Sequence, residues 1–247
     1  MTATLQIARR TFLKFVRSPQ LFIVGTIQGA MFLLIFRYVF GGAITGAGTS
    51  YVDFLVPGFV VTSVLFAGST AAAGVAEDVS DGFFDRLRSL PIPRAAGISG
   101  RVLADTGALT WGLFVTTLLG FVVGFRLHAG AASGLGAFGL CVLFGLAFSL
   151  VFVVIGLYAG SAQAAQGMSL LVFPLTFVSS AYVPVETMPG WMQGIARDQP
   201  ITQMTNVVRD LVLGHATHAL LPSVAWAAAI IAIFAPLAVY RYRTVNS

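Results

Sequence analysis

Gly97-Ile98-Ser99-Gly100 has the form in which an intramembrane hydrolase presents a nucleophilic serine. Such a serine must lie inside a span, with a histidine on a later span to take its proton. Here Ser99 falls in a stretch containing Arg94 and Arg101, and His128, His215 and His218 all fall between apolar runs, so the match is accidental. ATP chemistry on this chain is excluded more firmly. A phosphate-binding loop needs Gly-Lys-Ser/Thr, and the only lysine, Lys14, stands in Leu13-Lys14-Phe15. His215 and His218 have a spacing that could hold a metal, but no third ligand accompanies them. Cys141 is the only cysteine, which leaves neither an internal disulfide nor a thiolate metal centre. An ion-coupled carrier generally places a carboxylate inside its bundle to bind the driving ion. In this chain Asp53 and Asp105 only border apolar runs, so that chemistry would have to rest on backbone carbonyls alone.

The elements that must position whatever remains are set by where charge is missing. No charged residue lies between Arg17 and Arg37, Asp53 and Glu77, Asp105 and Arg126, Arg126 and Glu186, or Asp210 and Arg241, gaps of 19, 23, 20, 59 and 30 residues. A membrane-spanning helix needs about 20 apolar residues. The gap of 59 holds two, 134–158 and 168–183, joined by a small polar turn at 159–167. The chain is 9% charged and 57% hydrophobic, against about 25% charged for a soluble domain. It therefore reads as an all-α membrane protein with six transmembrane helices in a single domain over 1–247, with no room for a soluble catalytic domain.

Lys and Arg accumulate on the cytoplasmic side of membrane proteins. Arg9, Arg10, Lys14, Arg17, Arg86, Arg88, Arg94, Arg101, Arg241 and Arg243 fall on one side, and Arg37, Arg126, Arg197 and Arg209 on the other. Ten against four places both termini in the cytoplasm. The net charge of +5 is absorbed by this rule, with no nucleic-acid partner implied. A cleaved signal peptide is not expected, because the first apolar run is of spanning length and follows a basic segment. Thirteen arginines to one lysine, with abundant alanine, point to a GC-rich bacterial genome and hence to a bacterial plasma membrane.

Three segments outside the spans carry pattern. In 1–19, Leu5, Ala8, Phe12 and Phe15 or Val16 recur at helical spacing opposite Arg10, Lys14 and Arg17, with Pro19 closing the run. This is an amphipathic helix, either lying on anionic lipid at the inner surface or serving as a helical basic flank. In the loop 77–101, Ser80 or Asp81 can cap a short helix, Phe83, Leu87 and Leu90 line one face beside Arg86 and Arg88, and Pro91 stops it. Bulky apolar residues ringed by charge suit a protein partner and equally suit lipid. In 184–219, Trp191 and Ile195 share one helical face and Pro200 restarts the pattern with Met204, Val207, Val208 and Leu211. Two short outer helices follow, interfacial or re-entrant, with Trp191 at headgroup depth.

The string Asp85-Arg86-Leu87-Arg88-Ser89-Leu90-Pro91-Ile92-Pro93-Arg94 with Gly100-Arg101, the run from Tyr182-Val183-Pro184 through Met188-Pro189-Gly190-Trp191, and Gln199-Pro200 to Arg209 resemble the type 2 ABC transporter permeases. Within that family the chain looks most like the daunorubicin-resistance, drug-exporter branch. The resemblance implies a half-transporter that pairs with a second permease copy and a separate ATP-binding subunit, with ATP and Mg on that subunit and no cofactor on this chain. It makes the helix after the second span a coupling helix, with Asp81, Phe83, Phe84, Arg86, Leu87 and Arg88 as contacts, and makes 1–19 an interfacial connecting helix. Two features depart from the family: Gln199-Pro200 where Asn-Pro is common, and Glu77, Asp78, Asp81 and Asp85 where the approach to the coupling helix is often Glu-rich.

The expected function is the permease subunit of an ATP-driven exporter. An ion-coupled or ATP-independent membrane carrier and an ABC exporter of polysaccharide are the alternatives. Uncharged spans and 21 phenylalanines favour an amphiphilic drug or lipid as cargo. Gln28, isolated in the first apolar run, with Phe177 and Trp191, are candidates for the translocation path or the dimer contact. Glycine pairs four apart, Gly25 with Gly29, Gly120 with Gly124 and Gly156 with Gly160, suit close helix packing.

Overall fold

The computed structural model describes residues 2–16, 27, 29–40, 51–83, 86 and 95–244, and among these every regular element is helical. Helix α1 is Thr2–Val16. Helix α2, Gly29–Val39, closes in a π-helical turn at Phe36–Phe40. The long helices are α3 (Tyr51–Ser80), α4 (Ala95–Val123) and α5 (Ala131–Tyr158). Then come α6 (Ala162–Ser169), a 3₁₀ turn (Leu170–Val172), α7 (Phe173–Phe177), α8 (Gly190–Asp198), α9 (Pro200–Leu213) and α10 (Leu220–Thr244).

Among the described residues four helices are long and apolar enough to cross a membrane, within α3, α4, α5 and α10. They divide by surroundings. Of the most apolar windows of α3 and α5, 61% and 67% is buried inside the protein, against 17% for α4 and for α10. The two inner helices meet closely because each offers a glycine where the other is bulky. A Cβ on Gly68 of α3 would stand 2.0 Å from the Phe152 ring, and one on Gly156 of α5 would stand 2.7 Å from Val75 Cβ. Of the glycine pairs expected to pack helices, Gly120 and Gly156 do so, whereas Gly124 and Gly160 have φ of 107° and 71° and end their helices instead. Gly25 lies outside the described residues.

The fifth apolar run departs from expectation. The small polar turn expected at 159–167 is mostly helix α6, because Ser161 Oγ accepts the Ala164 N–H as an N-cap and the alanines and glutamines that follow favour helix. A 3₁₀ turn then separates α6 from α7. Helix α1 forms where expected, but its face is rotated. Ile7 and Ala8 are buried while Leu5 is exposed, because Gly100 of α4 admits Ile7 and the Thr4 carbonyl into contact.

Candidate coupling and translocation sites

The basic end of the bundle gathers the C-terminal end of α3, the N-terminal half of α4 and helix α1. Helix α3 does not stop at Glu77 but runs on to Ser80, whose hydroxyl donates back to the Glu77 carbonyl. Asp81 and Gly82 form the turn that ends it, with the Asp81 N–H on Glu77 O and Gly82 at φ 64°. Asp81 thus takes part in closing α3. Beyond the turn, Phe83 and Arg86 are helical, the Arg86 N–H reaches Gly82 O at 3.2 Å, and the Arg86 guanidinium donates to Asp81 O at 3.0 Å. The Arg10 guanidinium of α1 lies 4.0 Å from the centre of the Phe83 ring. Phe84, Leu87 and Arg88 lie outside the described residues.

Beside this turn is a cluster of opposite charges that sequence reasoning missed. Arg101 is only 7% exposed. Its Nη1 donates to Asp78 Oδ2 at 2.7 Å, its Nε to Asp105 Oδ2 at 2.9 Å, and its Nη2 to the Ala71 carbonyl at 3.1 Å. Asp78 also faces Arg10 at 3.7 Å. Asp105, expected at the border of an apolar run, is inside α4 because that helix begins at Ala95. Its i, i+4 spacing from Arg101 was the available signal. The Asp78 pairing spans two helices and left no trace in the sequence. Ser99 is likewise in α4 rather than in a loop, while His128 lies beyond the other end of that helix.

At the opposite end, α9 lies against the start of α3. Arg209 donates to the Phe54 carbonyl through Nη2 at 3.0 Å and Nε at 3.3 Å, to the Ser180 carbonyl at 3.0 Å, and to Asn206 Oδ1 at 3.3 Å. The Phe54 ring is 3.8 Å below its guanidinium. Burial lowers the Arg209 pKa to about 10, which still leaves it charged at neutral pH. Burial raises the pKa of the neighbouring Asp210. A cavity of about 450 Å³ opens here, lined by Gln203, Asn206, Arg209, Asp210, His218 and Ala219. Gln199, which stands where the family commonly has Asn, makes no side-chain cap to α9. Its amide donates to the Leu175 carbonyl at 3.1 Å and to the Val178 carbonyl, so it caps α7 rather than its own helix.

Between the ends runs a column of aromatic rings from α2, α3 and the α7 tail. Phe32 stacks on Phe59 at 6.5 Å and on Phe36 at 5.4 Å, Phe36 on Tyr182 at 5.1 Å, and Phe177 tilts against Tyr182 at 5.8 Å. The Tyr182 hydroxyl is held by Thr62 at 2.7 Å. Phe177 therefore belongs to this column and is also 56% exposed. Trp191, in the first turn of α8, is 74% exposed. Gln28 lies outside the described residues.

Residues 2–213 match the model of the family described as ABC-2 type transporter. The chain is 33% identical over 249 residues to the daunorubicin resistance ABC transporter permease protein DrrB1 of Streptomyces coeruleorubidus, covering 100% of this chain and 88% of the relative. It is 27% identical to the probable doxorubicin resistance ABC transporter permease protein DrrC of Mycobacterium tuberculosis (85% and 78% covered). It is 28% identical to the inner membrane transport permease YadH of Escherichia coli K12 (79% and 76% covered).

Proposed function

The chain belongs to the ABC-2 type transporter family and is the membrane permease subunit of an ABC exporter, and from that premise we propose that it moves an amphiphilic, drug-like or lipid-like cargo outward as one half of a permease dimer driven by separate ATP-binding subunits. ATP and Mg²⁺ would be bound on those subunits. When they close on ATP, the coupling segments would move with them and shift the two permease halves toward an outward-open arrangement. The observation that carries this reading is the turn at Gly82. It launches the segment beginning at Phe83 directly from the end of the most buried apolar helix but one, under the guanidinium of Arg10.

In this reading the membrane of a bacterial cell is crossed six times, by the run containing α2, by α3, α4 and α5, by α6 with α7, and by α10. Both termini are cytoplasmic, and α8 and α9 lie at the outer face. The aromatic column supports an apolar path beside α2, α3 and α7, with Gln28, Phe177 and Trp191 as its candidate contacts. The names of the relatives, two of them drug-resistance permeases, support a drug-like cargo.

Apolar anchors dominate an interface at roughly 2 kcal/mol or more each. Replacing Phe84 and Leu87 together by Asp should leave membrane insertion intact, abolish co-purification of the ATP-binding subunit, and stop ATP-dependent doxorubicin uptake into inverted vesicles. Normal co-purification and uptake by this variant would show that the segment is a linker resting on lipid.

A further inference from the structure

We infer that the buried charges Asp78, Arg101 and Asp105, joined to Arg10, form an ionic relay that makes α1, α3 and α4 move as one when the coupling segment is displaced. The inference rests on the proposed coupling role of the segment that starts at Phe83.

Stability is a poor explanation for this cluster. Removing charges from water costs several kcal/mol per ion, and a buried ion pair returns little net stability over an apolar packing of the same volume. What such a group offers is registry: a guanidinium fork satisfied by fixed acceptors accepts one arrangement of its helices. Arg101, on α4, takes acceptors from its own helix and from α3. Asp105 is on its own helix, whereas Asp78 Oδ2 and the Ala71 carbonyl are on α3. Sliding α3 along α4 by even part of a turn would break both cross-helix bonds together. The backbone has been cleared for this crossing, since a Cβ on Gly74 of α3 would stand 2.6 Å from Arg101 Nη2.

The relay has an exposed end. Arg10 is half-exposed, 3.7 Å from Asp78 on one side and stacked on Phe83 on the other. Phe83 is the first helical residue after the Gly82 turn. A push on the coupling segment therefore reaches Arg10 and through it Asp78, alongside the apolar cluster of Ile7 and Val75 against which Phe83 also packs, and Asp78 passes it to Arg101. Helix α1 cannot lag, because Gly100, next to Arg101, holds Ile7 and the Thr4 carbonyl at 2.8 Å from where its Cβ would be. Two cations and two carboxylates make the set neutral, so it can shift as a unit without carrying net charge toward the membrane.

The test uses the full-length permease reconstituted in vesicles with its ATP-binding subunit, doxorubicin as the transported probe, and the number of probe molecules moved per ATP hydrolysed as the readout. In a triple variant Asp78→Asn, Arg101→Gln and Asp105→Asn, polar packing is kept and charge removed. It should retain subunit binding and ATP hydrolysis while probe moved per ATP falls about tenfold or more, a typical size for coupling between sites. Arg10→Gln, at the half-exposed end, should lower the ratio about threefold, and Arg10→Lys should restore part of it. A purely structural role would lower the yield and melting point of the protein without altering the ratio. Wild-type ratios in the folded triple variant overturn the relay. Should that variant fail to insert, Arg10→Gln decides alone, and a wild-type ratio there overturns it. If the wild-type protein neither binds an ATPase nor moves the probe with ATP, the proposed function fails instead.

Discussion

Two arginines, Arg101 buried and Arg209 partly buried, hold the two ends of this bundle, and they do so with different partners. Arg101 bonds to two carboxylate side chains and a carbonyl, and sits in a neutral set of four charges. Arg209 has main-chain carbonyls, one amide oxygen and a ring face, and the Phe54 and Ser180 carbonyls it bridges belong to the start of α3 and the segment after α7. A carbonyl cannot leave without its backbone, whereas a carboxylate can exchange one cation for another by a rotamer change. Arg209 is therefore a rivet and the basic-end Arg101 a joint. Neither stabilises by charge alone, but only the joint passes a movement from one helix to the next.

The contrast is sharpened most by a change that strains the riveted end. Helix α3 touches the Ala181 backbone at Gly58, where a Cβ would stand 2.0 Å from the carbonyl oxygen. Gly58→Leu should cost more than about 3 kcal/mol, the upper range for overpacking, because backbone cannot yield as a side chain does. The melting midpoint of the detergent-purified protein measures it, and an unchanged midpoint would mean that the two segments are not in contact. Next in size, Arg209→Met leaves two carbonyls unpaired and should cost about 2–3 kcal/mol. Its midpoint should drop while the probe moved per ATP stays at the wild-type value. A changed ratio with an unchanged midpoint would make Arg209 a joint too, and the contrast would collapse. The smallest perturbation concerns only which end faces which compartment. In a Cys141→Ala background, a cysteine at Thr187 should react with an impermeant thiol reagent in intact cells and one at Ser89 should not. Labelling of Ser89 from outside would reverse the ends.

Much of this architecture could be read from residue spacing. Helix α1, the end of α5 at Tyr158, and the restart of helix at Pro200 all appear where periodicity, glycine and proline place them. Local signals were enough there because each depends on residues within one turn. The rotated face of α1 was not legible, since Leu5 and Ile7 are equally apolar and only Gly100, far along the chain, selects Ile7. Arg101 was counted as one more cation of the basic side, because a charge tally cannot distinguish a solvated arginine from one that crosses to Asp78 on another helix. Helix α6 was read as a turn from its Gly, Ser and Gln content, although Ser161 is the cap that starts it. Of the six coupling contacts that the resemblance implies, Asp81, Phe83 and Arg86 lie among the described residues.

The interrupted run of α6 and α7 has a consequence for the lipid around it. From Ala162 to Phe177, sixteen residues rise only about 25 Å, whereas the hydrocarbon layer is about 30 Å thick. A short element is accommodated by local thinning of the bilayer, at a fraction of a kcal/mol per Å. Both ends are closed by polar side chains, Ser161 at one and Gln199 at the other. On the proposed six-span topology the leaflets beside the exposed Leu171 and Phe177 would be drawn together, and an amphiphile crossing there would have less oil to traverse than along the four long helices.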